Sequence, residues 1–368
     1  MALLMHKGQI YSGGKDGENI IYLTKAEYDQ ITPLQDQTYG IIDWDSDAVL
    51  LIKDGVIVNN ATWSSQKMVN TFAQKTQISN PNLLDNPWFT VNQRGQSSYN
   101  TNNAYTVDRW KFTTALYLTI NGDKTITLTH KSVSESEYFL QTFEQELVNS
   151  LQGKKVTASI ELADGTIYSY SATVPVLTSD AHRLFDVRIG NTKIDLLVMV
   201  RTSNCYFALG GSKSDASITI KAVKLELGSI STLAMDTAPN YATELLKCQR
   251  YFQRIGKAVS GSALGKVITS GVAFNTNNIW MPIYLPVPMR ITPTLVKKGS
   301  FLLTATNTGG AVSTNPTLSL INFSDRDSNN ILNIQCYDET NPFTMGTWYK
   351  LSSYVLTDEA YLDLSADL

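Results

Sequence analysis

Cysteine, histidine and charge are all scarce in this chain. Three cysteines, Cys205, Cys248 and Cys336, are spread over 368 residues. That odd number has neither the paired spacing of a zinc site nor the density of a disulfide framework, so they read as small buried hydrophobes of a protein folded in a reducing cytoplasm. Three histidines, His6, His130 and His182, leave little for base-assisted nucleophilic chemistry. None stands in a recognisable setting, because His130 ends a predicted strand and His182 begins one. No glycine-rich phosphate loop, HExxH pair or Cys/His ligand spacing occurs, so no catalytic residue, metal or cofactor is expected.

Charged residues make up 17% of the chain and the net charge is −3. Without a Lys/Arg cluster, that balance excludes the basic field that holds nucleic acid. Long hydrophobic runs are missing too. Met1–His6 is too short for a signal peptide and no later stretch is long enough to span a bilayer, so membrane insertion is not expected. The hydrophobic content of 43% says globular, and the length allows two or three domains with cores of their own.

Turn chemistry organises what is present. In residues 1–62, Ile20–Leu23 reads as a strand, Thr24 with Glu27 as a capping box opening a helix that ends before Pro33, and Ala48–Lys53 with Val56–Val58 as a hairpin around Asp54-Gly55. These predict a small α+β module. Residues 63–80 are polar, with Met68, Val69 and Phe72 on one helical face, and read equally as a linker or a short helix. Over 81–238, strands flank Asn121-Gly122, Asp164-Gly165 and Gly190-Asn191, spacing that predicts a β sandwich or jelly roll with one helix over Glu144–Leu151 closed by Gly153. In its last strand Val223, Leu225 and Leu227 alternate with Lys224 and Glu226, predicting one buried and one wet face. Asn240 then caps a connector helix within 239–252, whose Leu245, Leu246 and Cys248 are expected to pack between domains. Residues 253–368 predict a second β sandwich, with loops at Asn275–Asn278, Thr304–Pro316 and Ser324–Asn330. Pro282, Pro286 and Pro288 there suggest an edge strand or extended arm, and Ala360–Leu364 alternates like a strand. The fold class expected is mainly β.

The chemistry left open is sugar recognition or sugar cleavage. Recognition needs an exposed ring to stack on a pyranose and planar polar groups to meet its hydroxyls, placed on loops of a rigid scaffold. In the last domain Asp325, Arg326 and Asp327 offer the polar groups, and Tyr337, Trp348 and Tyr349 the rings. The competing reading is that Trp348 and Tyr349 alternate on a strand, one in and one out, as parts of a core. Asp325 with Asp327 has the Asp-x-Asp form of a calcium loop but lacks the remaining ligands. Cleavage needs two carboxylates across a cleft, and Asp325 with Asp327, or Asp338 with Glu339, qualify by type alone.

One stretch ties the chain together: Asn82-Leu83-Leu84-Asp85-Asn86-Pro87-Trp88-Phe89, then Gln93-Arg94-Gly95, then Asp108-Arg109-Trp110. Trp88, Phe89 and Trp110 beside an Asp and an Arg form either a sugar platform or, as the residues favour, the closing edge of a sandwich core. This stretch resembles the opening of the carbohydrate-binding-module-like jelly roll in tail fibres and receptor-binding proteins of tailed bacteriophages. Lys224–Gly228, Cys248–Phe252 and Pro286–Pro293 resemble, in order, its last strand, the helix after it and a strand of the distal domain. The resemblance implies a homotrimer in the virion tail or baseplate, assembled in the host cytoplasm and released by lysis. It also implies that 1–62 attaches to other tail or baseplate proteins and that 253–368 binds host cell-surface glycan without cutting it. A glycan-cleaving tail spike and a purely structural baseplate protein are the alternatives; the parallel β-helix repeats of phage depolymerases are absent from the sequence.

Overall fold

The computed structural model describes five strands among residues 1–78, and residues 79–368 except 115, 131–136, 181, 193, 212–215, 259–265, 308, 322–330, 355–358 and 368. The chain forms two compact units, Met1–Ser79 and Asn80–Leu368.

In the first unit β1 (Leu4–His6) and β2 (Gln9–Tyr11) pair as a hairpin. The expected strand at Ile20 is β3 (Ile20–Thr24), which runs parallel to β4 (Thr38–Asp43), and β5 (Ala48–Lys53) lies antiparallel to β4. The helix expected after Thr24, the return strand Val56–Val58 and the face of Met68, Val69 and Phe72 lie outside the described residues.

The second unit opens with β6 (Ser98–Tyr99), β7 (Lys111–Phe112), β8 (Leu116–Ile120), β9 (Ile126–His130) and β10 (Tyr138–Thr142). The helix α1 (Gln145–Leu151) leads to β11 (Lys155–Leu162), β12 (Ile167–Thr173), β13 (His182–Arg188), β14 (Asp195–Val200), β15 (Tyr206–Gly210) and β16 (Ser217–Leu227). They form two sheets, in the orders β13-β14-β15-β10-β7 and β12-β11-β16-β9-β8-β6. All three predicted hairpins are present: β8 pairs with β9, β11 with β12 and β13 with β14. Inward residues of both sheets meet in one core around Trp110, Phe139, Phe207, Leu118, Ile160 and Val198. Trp110 stacks on Phe139 at 4.8 Å and meets Phe89 edge-on at 5.3 Å. The aromatic pair Phe89 and Trp110 therefore closes a core and is not a sugar platform; Trp88 stays half-buried beneath Lys221.

Strand β16 departs from the expected alternation. Lys224 and Glu226 are buried, whereas Leu227 is exposed. The reason lies in the chain that follows, which folds back over the outer face: Lys224 Nζ donates to Thr232 Oγ1 at 2.9 Å and pairs with Asp236 at 2.8 Å, and Thr232 N donates to Glu226 at 2.7 Å. The wet face expected there is a dry ion cluster.

The helix α2 (Tyr241–Gln249) is capped as expected, Asn240 accepting from Ala242 N and Thr243 N. Its inward face differs from the expected Leu245, Leu246 and Cys248: Cys248 and Glu244 are buried, Leu245 is half-buried and Leu246 is exposed. Glu244 turns inward because Asn86 N donates to its carboxylate at 2.6 Å.

A second core follows. Its strands are β17 (Phe252–Ala258), β18 (Val267–Ala273), β19 (Asn278–Tyr284), β20 (Thr294–Lys298), β21 (Ser300–Ala305), β22 (Ala311–Thr314), β23 (Thr317–Ile321), β24 (Ile331–Tyr337), β25 (Trp348–Tyr354) and β26 (Ala360–Ser365). One sheet has the order β17-β26-β20 and the other β22-β21-β25-β18-β19-β24-β23. Phe301, Ile334, Leu351, Leu362 and Leu364 fill the space between. Gly299 turns the chain from one sheet into the other at φ +76, where a Cβ would lie 2.5 Å from Glu359 O, so only glycine fits the corner. Two expectations change here. The stretch Thr304–Pro316 contains β22 as well as loop, and Pro282 stands on an interior strand instead of an edge. An interior proline is tolerated because the β18–β19 ladder ends at Val272↔Trp280, and at position 282 the Thr269 hydroxyl donates to the Pro282 carbonyl.

The two cores are joined by the Asn82–Arg109 stretch. Gln93 Nε2 donates to Phe252 O at 2.8 Å, and the Arg94 guanidinium lies 3.8 Å over the Phe252 ring. Arg254 donates to Arg94 O at 2.6 Å while forking onto Asp363 at 2.7 and 2.8 Å. Arg109 lies 3.4 Å over Tyr251 and pairs with Asp85 at 3.0 Å. The residues that carried the family resemblance are thus the joint between the sandwiches.

Candidate functional site

The outer face of the seven-stranded sheet is where aromatic side chains meet solvent. Strand alternation puts them there. On β19, Ile279, Met281 and Ile283 are buried in the core, which sends Trp280 and Tyr284 outward. On β25, Tyr349 and Leu351 are buried and Trp348 points out, 54% exposed. Register then assembles a row. Trp348 faces Val272, Val272 faces Trp280, Trp280 faces Gln335 and Gln335 faces Ser319. Directly opposed residues share a sheet face, so these five side chains form one line across the strands. Trp348 and Trp280, the latter 40% exposed, sit two strands apart, about 10 Å. Phe274, two residues beyond Val272 on the same face, packs on Trp280 with centroids 4.2 Å apart.

Planar amides border the rings. Gln335 Nε2 donates to Asn278 Oδ1, and Asn278 in turn donates through Nδ2 to Asn275 Oδ1 at 3.1 Å. Asn275 Oδ1 also accepts from Asn277 N and Asn278 N, both at 2.8 Å, which fixes the turn between β18 and β19. Tyr337 faces Asn278 and Thr317 across the ladder, and its hydroxyl donates to Glu339.

Of the residues expected to bind sugar, the structure brings Trp348 and Tyr337 onto this one face, separated by β18 and β19. Asp325, Arg326 and Asp327 lie outside the described residues. Tyr349, whose hydroxyl accepts from Thr344 N at 2.8 Å, is core, so the alternation of Trp348 out and Tyr349 in holds. Phe274, Trp280, Asn278 and Gln335 were not expected. Trp280 was legible in the alternation of Ile279, Met281 and Ile283, but the neighbouring Pro282 argued for an edge arm.

Carboxylates near this face are engaged. Asp338 accepts from the Ser313 hydroxyl, from Thr340 N at 2.8 Å and from Asn341 N and Nδ2, both at 3.1 Å. Desolvation opposes its charge, but these hydrogen bonds outweigh that and hold the carboxyl well below the usual range. It stays ionised and serves the turn, which is the opposite of what a proton-donating acid needs. His130, buried, lies 3.8 Å from Glu137, and His182 shares a hydrogen bond with Thr178. All three cysteines are free and buried, and burial pushes their thiols up. Among the described residues no group of three or more His, Cys, Asp and Glu gathers to hold a metal, and no helix is long and apolar enough to cross a membrane. A polar cleft of about 180 Å³ opens at the joint, lined in part by Asp85, Arg109, Glu144, Arg250 and Tyr251. Its charges pair with one another: Arg109 with Asp85, and Arg250 with Glu144.

No protein-family model matches the chain, and no curated protein matches it. The solved structure of the N-terminal CBM22-1-CBM22-2 tandem domain from Paenibacillus barcinonensis Xyn10C is similar at 7% identity over 79% of this chain and 98% of that one, with a TM-score of 0.19, too slight a likeness to carry an argument.

Proposed function

We propose that this protein is a non-enzymatic, receptor-binding structural component of a phage tail, baseplate or phage-like particle, and that it binds host cell-surface glycan through the outer face of the seven-stranded sheet. The observation that carries the glycan reading is the row Trp348, Val272, Trp280 and Gln335, with Phe274 against Trp280. Exposed rings on a flat, rigid support stack on sugars at little entropic cost, and the Asn278 and Gln335 amides border them with donors and acceptors for hydroxyls. The resemblance of Asn82–Trp110, Lys224–Gly228 and Cys248–Phe252 to tail-fibre proteins supports the particle context. In this reading the chain acts as a homotrimer in the virion, the first unit attaches it to a tail or baseplate protein, and three weak sites gain from avidity.

Binding of the full chain to host cells and extracted wall glycans tests the reading. Saturable binding without sugar release is expected, and Trp280→Ala or Trp348→Ala should each weaken it about tenfold or more, as loss of an exposed anchor does. Oligosaccharide release would replace the reading with a glycan-cleaving spike. Unaltered binding by both variants would move the site elsewhere, and no binding by folded protein would leave a purely structural baseplate role.

A further inference from the structure

Two buried carboxylates share one guanidinium at the joint. Arg94 Nη1 donates to Asp108 Oδ1 at 3.2 Å and Nη2 to Asp367 Oδ2 at 2.8 Å, with Asp108 wholly buried and the Asp367 side chain 4% exposed. Asp108 Oδ2 accepts from Gln93 N at 2.8 Å, and Asp367 Oδ2 accepts from Ser365. Asp367 Oδ1, although buried, has no hydrogen-bond partner among the described residues. Burying an unpartnered oxygen costs more when it is charged than when it is neutral.

Among the described residues Arg94 is the cation in ion-pair contact with the two carboxylates. Tyr99 and Tyr105 face the pair, and burial raises both phenols, leaving them neutral. Cys248 faces it from α2 and is likewise kept protonated by burial. Arg254 is forked onto Asp363 and Arg109 is paired with Asp85. Arg290 contributes a long hydrogen bond to Ala366 O at 3.4 Å. With both carboxylates ionised, two charges share one contacting cation, and Arg109 and Arg290 act on the cluster only from further off.

We propose that Asp108, Arg94 and Asp367 form a proton-operated latch, so that the joint between the two sandwiches closes more tightly in weak acid, when the carboxylate pair takes up one proton. The titration agrees with the geometry. Burial pushes Asp108 up from 3.8 to about 6 against the pull of Arg94, and raises Asp367 for the same reason. For a carboxyl raised in the closed state, the closed state binds more protons. Its stabilisation is full below the ordinary carboxylate range and is lost as pH rises through about 6.

Amide hydrogen exchange on the full chain tests this, read at two amides of the joint: Asn86 N, which donates across to Glu244 of α2 at 2.6 Å, and Gln93 N, which donates to Asp108 Oδ2 at 2.8 Å. After correction for intrinsic rates, their protection should rise about tenfold from about pH 7 to about pH 5, while amides of the β11–β16 ladder stay level. Asp108→Asn and Asp367→Asn should each flatten the rise, and the second variant removes only a group in the last strand's tail, which keeps the test available if the first fails to fold. No rise in the parent protein, or the same rise in the Asp367→Asn variant, would overturn the latch.

Discussion

Asn86 is wholly buried and its side chain makes three hydrogen bonds. Its Nδ2 donates to Val91 O and Asp108 O at 2.9 and 3.0 Å, its Oδ1 accepts from Val91 N at 3.0 Å, and its own carbonyl accepts from Trp110 Nε1 at 3.1 Å. The residue sits at φ +50, a conformation that asparagine tolerates better than most. Replacing it with alanine takes the side-chain partner from the Asp108 carbonyl and the Val91 amide in a dry site, while Val91 O keeps Asp108 N at 3.2 Å, so Asn86→Ala should lower stability by roughly 2 to 3 kcal/mol, read from the midpoint of urea unfolding at constant slope. Lys224 has the same character. Taking it away deprives the Glu226 and Asp236 carboxylates of their shared cation, so Lys224→Ala should destabilise by roughly 3 kcal/mol in the same assay. Neither residue touches the aromatic row, and neither variant is expected to alter glycan binding by the protein that remains folded.

Strand pairs decide where the rings point. A Cβ on Gly271 would fall 2.0 Å from Trp280 O, so Gly271→Ala must push β18 and β19 apart. We expect it to cost roughly 1 to 3 kcal/mol and also to weaken glycan binding. Trp348→Ala, at a more exposed position, should weaken binding while changing stability by no more than about 0.5 kcal/mol. Comparing both variants by thermal unfolding and glycan binding separates the scaffold's contribution from the ring's. At the head of α2, Asn240→Ala removes the acceptor of two amide protons and should cost about 1 kcal/mol. Elements with local signals were legible in the sequence: the turns at Asn121-Gly122, Asp164-Gly165 and Gly190-Asn191 and the Asn240 cap each carry their instruction within a few residues. The dry face of Lys224 and Glu226 was not legible, because what covers it is the loop through Thr232 and Asp236, a tertiary event that alternation cannot report. Likewise Trp348 could be assigned a face from its neighbour Tyr349, but its companion Trp280 is set beside it only by the pairing of both strands with β18.

At the scale of the whole molecule the second sandwich leans on the first. Arg254 needs the Arg94 carbonyl, Phe252 needs the Arg94 guanidinium over its ring and its carbonyl needs Gln93. A fragment covering residues 241–368 loses all three and leaves Phe252 uncovered. It should unfold at lower urea than the same core within the full chain, by roughly 2 kcal/mol or more, and the comparison of midpoints checks this. The Gln-Arg-Gly and Asp-Arg-Trp motifs were conspicuous in the sequence, yet nothing in their spacing says that their partners are Phe252, Arg254 and Asp367. Such long-range pairs become visible only when the two sandwiches are laid side by side.

Strand β26 lies between β17 and β20, pairing Ile255 with Leu362 on one side and Lys297 with Leu362 on the other. On a ribosome the middle strand of that sheet is therefore made last, and β17 and β20 must wait without it. The first sandwich, complete once β16 has appeared, can form early; the second closes only after residue 365 has emerged, and the seam through Asp367 after that. Closure of the second sandwich is ordered in time, with β26 acting as the keystone.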